Sequence, residues 1–136
     1  MAFSSDSKVV LVVDDEIFAR LFAVQVFLDQ GYTVLEADCA EQGLDVLDRN
    51  DDVDVLFTDI SMPGEMDGLE LVRHVKAEHP HIAFLVTSGH GDPTAEGLPE
   101  GSWFLAKPYS ANALMTAITE ACAASPRRIV SPFLPA

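Results

Sequence analysis

Short apolar runs that stop on a charged or hydroxylated residue recur along this 136-residue chain, and they constrain its fold more than any other feature. Val53-Asp-Val-Leu-Phe-Thr-Asp59 is the clearest of them. Val53, Val55, Leu56 and Phe57 are β-formers in a run too short for a helix, and Ser61-Met-Pro-Gly64 breaks the chain straight afterwards. A carboxylate at the carboxyl end of such a strand stands where open α/β sheets bind their ligands. Asp also opens turns, so this run alone leaves Asp59 either a turn residue or a site residue.

The neighbouring runs repeat the pattern. Lys8-Val-Val-Leu-Val-Val13 reads as a buried strand that stops at Asp14-Asp15-Glu16. From Ile17 to Gln30 the residues Ile17, Leu21, Val24 and Leu28 recur at helical spacing, with Phe18 and Phe22 beside them and Gly31 as the stop. Thr33 to Ala37 is a second strand, and Ala40, Leu44 and Leu47 mark a helix that Gly43 weakens. After Asp59 a Pro/Gly loop reaches Gly68, and Leu69, Val72 and Val75 share a helix face before Pro80. Ile82 to Thr87 is a fourth strand, and Trp103 to Ala106 a fifth, ending at Lys107-Pro108. Ala111, Leu114, Met115, Ile118 and Cys122 line a last helix capped near Ser110.

Glycines and prolines between Ser88 and Ser102 limit any helix there to a short, interrupted one, and that segment is expected to order when the domain signals. Residues 1–7 read as a disordered start and 125–136, with three prolines, as a flexible tail, leaving 8–124 as one domain.

Strands alternating with helices predict an α/β fold with a parallel sheet covered on both faces by right-handed crossovers. Every loop that follows a strand then opens at one edge of the sheet. Asp14, Asp15, Asp59, Thr87 and Lys107 gather there without any functional assumption.

Composition narrows the partners. With 22 acidic and 8 basic side chains the net charge is -14, which repels nucleic acid and anionic lipid. No run reaches the roughly 18 apolar residues of a membrane span, and residues 1–7 lack a signal-peptide pattern, so a cytoplasmic location is expected. Cys39 and Cys122 have no zinc or disulfide spacing and read as packing residues. His74, His79 and His81 lack the i,i+4 spacing of a metal-binding helix and read as a solvated helix end.

Three converging carboxylates repel one another, and a hard divalent cation relieves this; Mg2+ fits an open acidic site better than Ca2+ does. A lysine and a threonine facing them point to an incoming anion, whose phosphoryl charge the ammonium neutralises while the hydroxyl donates a hydrogen bond. Asp59 is then the nucleophile, forming an aspartyl phosphate.

Together Val12-Val-Asp-Asp-Glu16, Asp59-Ile-Ser-Met-Pro63, Thr87-Ser88 and Lys107-Pro108 resemble the receiver domain of two-component response regulators, of the stand-alone chemotaxis-regulator-like type, over roughly residues 8–124. The resemblance implies a flavodoxin-like, doubly wound (βα)5 sheet of strand order 2-1-3-4-5. It also implies that Asp59 accepts a phosphoryl group, that Asp14, Asp15, Asp59 and the Ser61 carbonyl serve the Mg2+ site, and that Thr87 and Lys107 contact the phosphoryl oxygens. Phe104 matches the family's switch aromatic, with an ordinary core Phe beside Trp103 as the lesser alternative. Ser61 and Gly89 match positions that tune acyl-phosphate lifetime, and a cis Lys107-Pro108 bond is expected.

The loop Gly64 to Gly68 runs one residue longer than the family's usual form, and the interval from Thr87 to Lys107 is short. The implied donor is a sensor histidine kinase or histidine phosphotransfer protein. The chain then catalyses only its own phosphorylation and dephosphorylation, so it is not an enzyme in the ordinary sense. With about a dozen residues after the last helix, output is expected to run through a downstream protein, or the chain to act as a phosphorelay shuttle or sink. A hydrolase of the haloacid-dehalogenase type needs a second Asp two residues after the nucleophile, where Ser61 stands. A phosphorylation-independent docking module needs none of Asp59, Thr87 and Lys107, and all are present.

Overall fold

The computed structural model describes residues 8–89, 98 and 101–123. The expectations for residues 1–7, for the 125–136 tail and for nearly all of the segment from Gly89 to Gly101 lie outside these residues. Five strands, β1 (Val9–Val13), β2 (Thr33–Ala37), β3 (Val55–Asp59), β4 (Ala83–Ser88) and β5 (Trp103–Ala106), alternate with helices α1 (Ile17–Asp29), α2 (Ala40–Arg49), α3 (Gly68–Glu78) and, after β5, α4 (Ala111–Ala123). All strand pairs are parallel and the sheet order is β2-β1-β3-β4-β5, the doubly wound arrangement expected from the resemblance. Among the described residues no helix is long and apolar enough to cross a membrane.

The strands have a side-chain period of two, and the sheet uses it without exception in its centre. Leu11, Val13, Leu56, Phe84 and Val86 face one way, into a core closed by Ala40 and Leu47 of α2 and Leu71, Val72 and Val75 of α3. Val10, Val12, Val55, Phe57, Ala83 and Leu85 face the other way, against Ala23, Val26 and Phe27 of α1 and Leu114, Ile118 and Ala121 of α4. Both faces are dry, so the central strands carry the near-continuous apolar sequences typical of buried parallel sheets. Phe27 meets Phe57 edge-on at 5.7 Å between ring centroids, joining α1 to β3.

Helix α1 forms where expected, but of its periodic stripe only Val24 packs against the core and the rest faces outward. Ile17, Leu21 and Leu28 are about half exposed and Phe18 is 80% exposed, while the smaller Ala23 and the pair Val26 and Phe27 make the core contact. The helix is apolar nearly all round, so spacing reveals the helix without revealing which side is buried. Gly31 ends it with φ +89, a conformation that favours glycine.

Gly43, a weak helix residue, sits within α2 for a packing reason. A Cβ there would lie 3.2 Å from a Val13 methyl and 3.6 Å from a Leu71 methyl. Helix α3 starts at a capping box in which the Asp67 side chain accepts from the Glu70 amide and Glu70 accepts from the Asp67 amide. Its first residue, Gly68, donates to the Ile60 carbonyl and lies so close to the end of β3 that a Cβ would collide with the Asp59 carbonyl oxygen and Ile60 Cα.

Since both colliding atoms are backbone, neither can rotate away. Gly68→Ala is therefore expected to destabilise the fold by about 2–4 kcal/mol, measured by urea unfolding. A cost below about 0.5 kcal/mol, the scale of neutral surface changes, would show that α3 is not seated on β3 in this way.

Candidate functional site

The same period of two that builds the core delivers the polar residues. Counting on from the α1/α4 side of each strand, Val10 and Val12 lead to Asp14, Val55 and Phe57 to Asp59, Ala83 and Leu85 to Thr87, and Trp103 and Leu105 to Lys107. Asp59 and Thr87 are direct register partners on β3 and β4. Four residues far apart in sequence thus reach one edge on one face. Asp15 joins them from the loop after β1. Carboxylate oxygens of Asp14, Asp15 and Asp59 all lie within 4.8 Å of one another.

Lys107 stands at the centre of the cluster. Its Nζ lies 2.9 Å from Asp59 Oδ2, 3.1 Å from Asp14 Oδ2 and 3.4 Å from Glu16 Oε1. Burial alone would lower the ammonium's pKa, but the hydrogen bonds to Asp59 and Asp14 outweigh it and hold the group above its ordinary range. Asp59, 6% exposed, receives the Ser61 amide on Oδ1 at 2.9 Å. Asp14 is raised above 3.8, chiefly by burial; the Glu16 amide on Oδ1 and the Lys107 contact only partly offset it.

Two buried hydroxyls beside the cluster have no hydrogen-bond partner among the described residues: Thr87 Oγ1 and the Tyr109 hydroxyl. An unmatched buried hydroxyl costs roughly 1–3 kcal/mol, so Thr87 Oγ1 is left wanting an acceptor. Tyr109 packs against Phe57 and Phe22, and its pKa is pushed up to about 12, first by burial and then by Asp14.

Of the residues named from sequence, Asp14, Asp15, Asp59, Thr87 and Lys107 come together. Ser61 adjoins them, with its hydroxyl 3.5 Å from that of Ser88. The Lys107–Pro108 bond is cis. Phe104 does not join the cluster. It pairs in register with Val86 and packs on the opposite, α2/α3 side of the sheet.

Sequence reasoning passed over three contributors. Glu16 was visible as the third acid of its run. Arg20 is the only basic residue between Lys8 and Arg49, which was a signal available to read. Tyr109, two residues after Lys107, carried no pattern that marks it.

An all-oxygen donor set with excess negative charge is the chemistry of a hard divalent cation site, and these residues fit one. Beside it opens a cavity of about 520 Å3, walled by Phe18, Phe22, Pro108 and Tyr109 with Lys107 and Glu16 at its polar side.

Comparison with known proteins gives the same answer from another direction. Residues 10–119 match the family model described as the response regulator receiver domain. The chain is 38% identical over 120 residues to the sensor kinase CckA of Brucella abortus, covering 85% of this chain but 13% of that protein. It is 36% identical over 110 residues to a chemotaxis protein CheY homologue of Campylobacter jejuni, covering 76% of this chain and 84% of the homologue. It spans about a quarter of the Azorhizobium caulinodans regulator NtrX. Among solved structures, a response regulator receiver domain protein of Clostridium thermocellum superposes with a TM-score of 0.74 at 31% identity, over 85% of this chain and 94% of the other.

The buried charge of Asp14 gives a testable sign. Its folded pKa lies above the ordinary 3.8, so the charged form penalises the fold at pH 7; the penalty shrinks as pH falls through the folded pKa and is gone below 3.8. In chelating buffer at pH 7, Asp14→Asn is expected to raise the midpoint of thermal unfolding by a few degrees, and the gain should vanish near pH 3. A lowered midpoint at pH 7 would mean that the Lys107 contact outweighs burial.

Proposed function

The chain belongs to the response regulator receiver domain family, and from that premise we propose that it accepts a phosphoryl group on Asp59 from the phosphohistidine of a sensor histidine kinase or histidine phosphotransfer protein. A receiver is a signalling phosphoacceptor rather than an enzyme. The observation that carries the assignment to Asp59 is its position: a nearly buried carboxylate held between the Ser61 amide and the Lys107 ammonium, in register with a threonine whose hydroxyl is unmatched among the described residues.

In the transfer an Asp59 carboxylate oxygen forms a bond to phosphorus as the donor's nitrogen–phosphorus bond breaks, leaving an acyl phosphate and a free imidazole. Lys107 already touches Asp59 Oδ2 and is placed to follow the negative charge onto the phosphoryl oxygens. The Thr87 hydroxyl gains the acceptor it lacks. Asp14, Asp15, Asp59 and the Ser61 carbonyl would hold Mg2+, whose chemistry is to offset the charge of carboxylates and phosphoryl oxygens in one place.

The donor must bring its histidine to the mouth of the pocket, and the surface beside that mouth is the exposed apolar side of α1. Ile17, Phe18, Leu21 and Phe22 cover it without a charge, on a chain that is otherwise strongly acidic. Contiguous exposed apolar surface of this kind marks protein contact sites. We assign it to the donor, with the cavity between Phe18 and Tyr109 receiving the imidazole.

A role as regulator, shuttle or sink of the phosphoryl group is in keeping with the match to the Campylobacter jejuni homologue, of which this chain covers 84%. In this reading the phosphoryl state of Asp59 passes to a downstream protein through Thr87 and Phe104. Those residues lie on opposite faces of the sheet, Thr87 in register with Leu105 and Phe104 with Val86.

Incubation with acetyl phosphate and Mg2+, followed by intact mass, should add one phosphate to the wild type and none to Asp59→Asn; a persistent adduct on the variant refutes the acceptor. Phe18→Asp should slow transfer from a phosphorylated kinase tenfold or more while leaving labelling by acetyl phosphate unchanged. Equal transfer from the kinase to both proteins would move the docking face off α1.

A further inference from the structure

Arg20 lies one turn into α1 and its side chain is only 16% exposed. It does more than form a surface ion pair. The guanidinium divides between two elements: one terminal nitrogen donates to the backbone carbonyl of Asp14 at 2.8 Å, and Nε donates to Glu36 Oε1 on β2 at 3.2 Å. The Asp14 amide donates to the Ala37 carbonyl at 3.2 Å, and Asp14 Oδ1 receives the Glu16 amide at 2.9 Å. Asp14 is therefore fixed at its amide by β2, at its side chain by the turn, and at its carbonyl by Arg20.

That carbonyl belongs to the peptide bond joining Asp14 to Asp15. Its orientation decides the direction in which the chain leaves β1, and with it where the exposed Asp15 carboxylate stands relative to Asp59. No other described side chain is recorded holding that carbonyl. A planar guanidinium suits the task, because its donors diverge in a fixed fork and serve two acceptors at once, which an ammonium on a flexible stem does less well.

Charge alone argues against an arginine here. A permanent positive charge next to a cluster that gathers a divalent cation opposes the cation's approach. Glu36 pairs with that charge, leaving Arg20's hydrogen-bonding geometry as its contribution. The Arg20–Glu36 pair is itself of little use as a stabiliser, since Glu36 is substantially exposed and such pairs contribute little.

We propose that Arg20 is a positioning residue for the cation site: by holding the Asp14–Asp15 peptide against α1 and β2, it sets the two carboxylates at the separation from Asp59 that a hard divalent cation requires. The inference rests on the reading of the acidic cluster as a divalent-cation site. Arg20 touches neither the cation nor the phosphoryl group and acts only through the peptide it holds.

The test exploits opposite signs. Removing a nearby positive charge should tighten cation binding if Arg20 acts through its field, whereas losing the clamp should weaken it. Mg2+ affinity is measured by titration calorimetry at constant ionic strength for the wild type, Arg20→Met, Arg20→Lys and Glu36→Gln, with thermal unfolding of each in chelating buffer as the check on folding. The expectation is a roughly tenfold or greater loss of affinity in Arg20→Met, the scale seen when groups that orient metal ligands are removed. Arg20→Lys, which keeps the charge but not the fork, should also lose affinity, and Glu36→Gln should lose less.

Unchanged or tighter binding in Arg20→Met overturns the proposal, as does a loss of stability with no change in affinity. If Arg20→Met does not fold, Arg20→Lys decides: wild-type affinity there overturns it. A wild type that binds no Mg2+ refutes the cation site itself, a result distinct from one in which wild type and variants bind alike.

Discussion

One ammonium holds the working edge of this protein together. Lys107, just past β5, reaches Asp14 at the end of β1 and Asp59 at the end of β3, spanning the sheet across Thr87 at the end of β4. Buried carboxylates are tolerated only when paired, and here one lysine serves two of them plus the more exposed Glu16. The arrangement works because every contributing strand ends on the same phase of its pleat. A one-residue slip in any strand would send its polar residue to the other face and expose its apolar set, so the core that fixes register also fixes the site.

The pairing is incomplete by construction. Asp14 remains above its ordinary pKa despite the lysine, and the Thr87 hydroxyl is left without a partner among the described residues. Both are local costs that a sequence selected for stability alone would remove. They are retained where a further positive charge and a further oxygen acceptor would satisfy them. Gly68 belongs to the same economy, since seating α3 against the Asp59 carbonyl forbids a side chain there and holds the end of β3 rigid.

Much of this was legible in the sequence. Five short apolar runs gave the strands to within two residues, and their terminal residues gave most of the cluster, because in a buried parallel strand both composition and length are extreme. What was not legible has physical reasons. Helix α1 is apolar on nearly every side, so its periodic stripe of Ile17, Leu21, Val24 and Leu28, of which only Val24 packs on the core, did not mark the side that meets the sheet. Gly43 looked like a helix breaker because propensity is local, while its close approach to Val13 and Leu71 is tertiary. Arg20 and Tyr109 act through a backbone carbonyl and through ring packing, neither of which leaves a spacing pattern.

The electrostatic sum explains why the acceptor needs its neighbours. On the proposed reading, phosphorylation would bring roughly -1.5 to -2 charges to a site where Asp14, Asp59 and Glu16 already share a single lysine, with Asp15 beside them. Lys107 cannot stay equally close to Asp14, Asp59 and an incoming phosphoryl oxygen, so transfer requires that some other positive charge take over the carboxylates while the ammonium turns to the phosphoryl group. The geometry of Asp15 then matters to the proposed site, because Lys107 pairs with Asp14 and Asp59 of the central three acids and leaves Asp15 to a further positive charge. The position of Asp15 depends in turn on the peptide it shares with Asp14. The readiness of the pocket therefore traces back along the chain to how α1 and β2 hold the first turn after β1, whose two carboxylates lie within 4.8 Å of Asp59, the proposed acceptor.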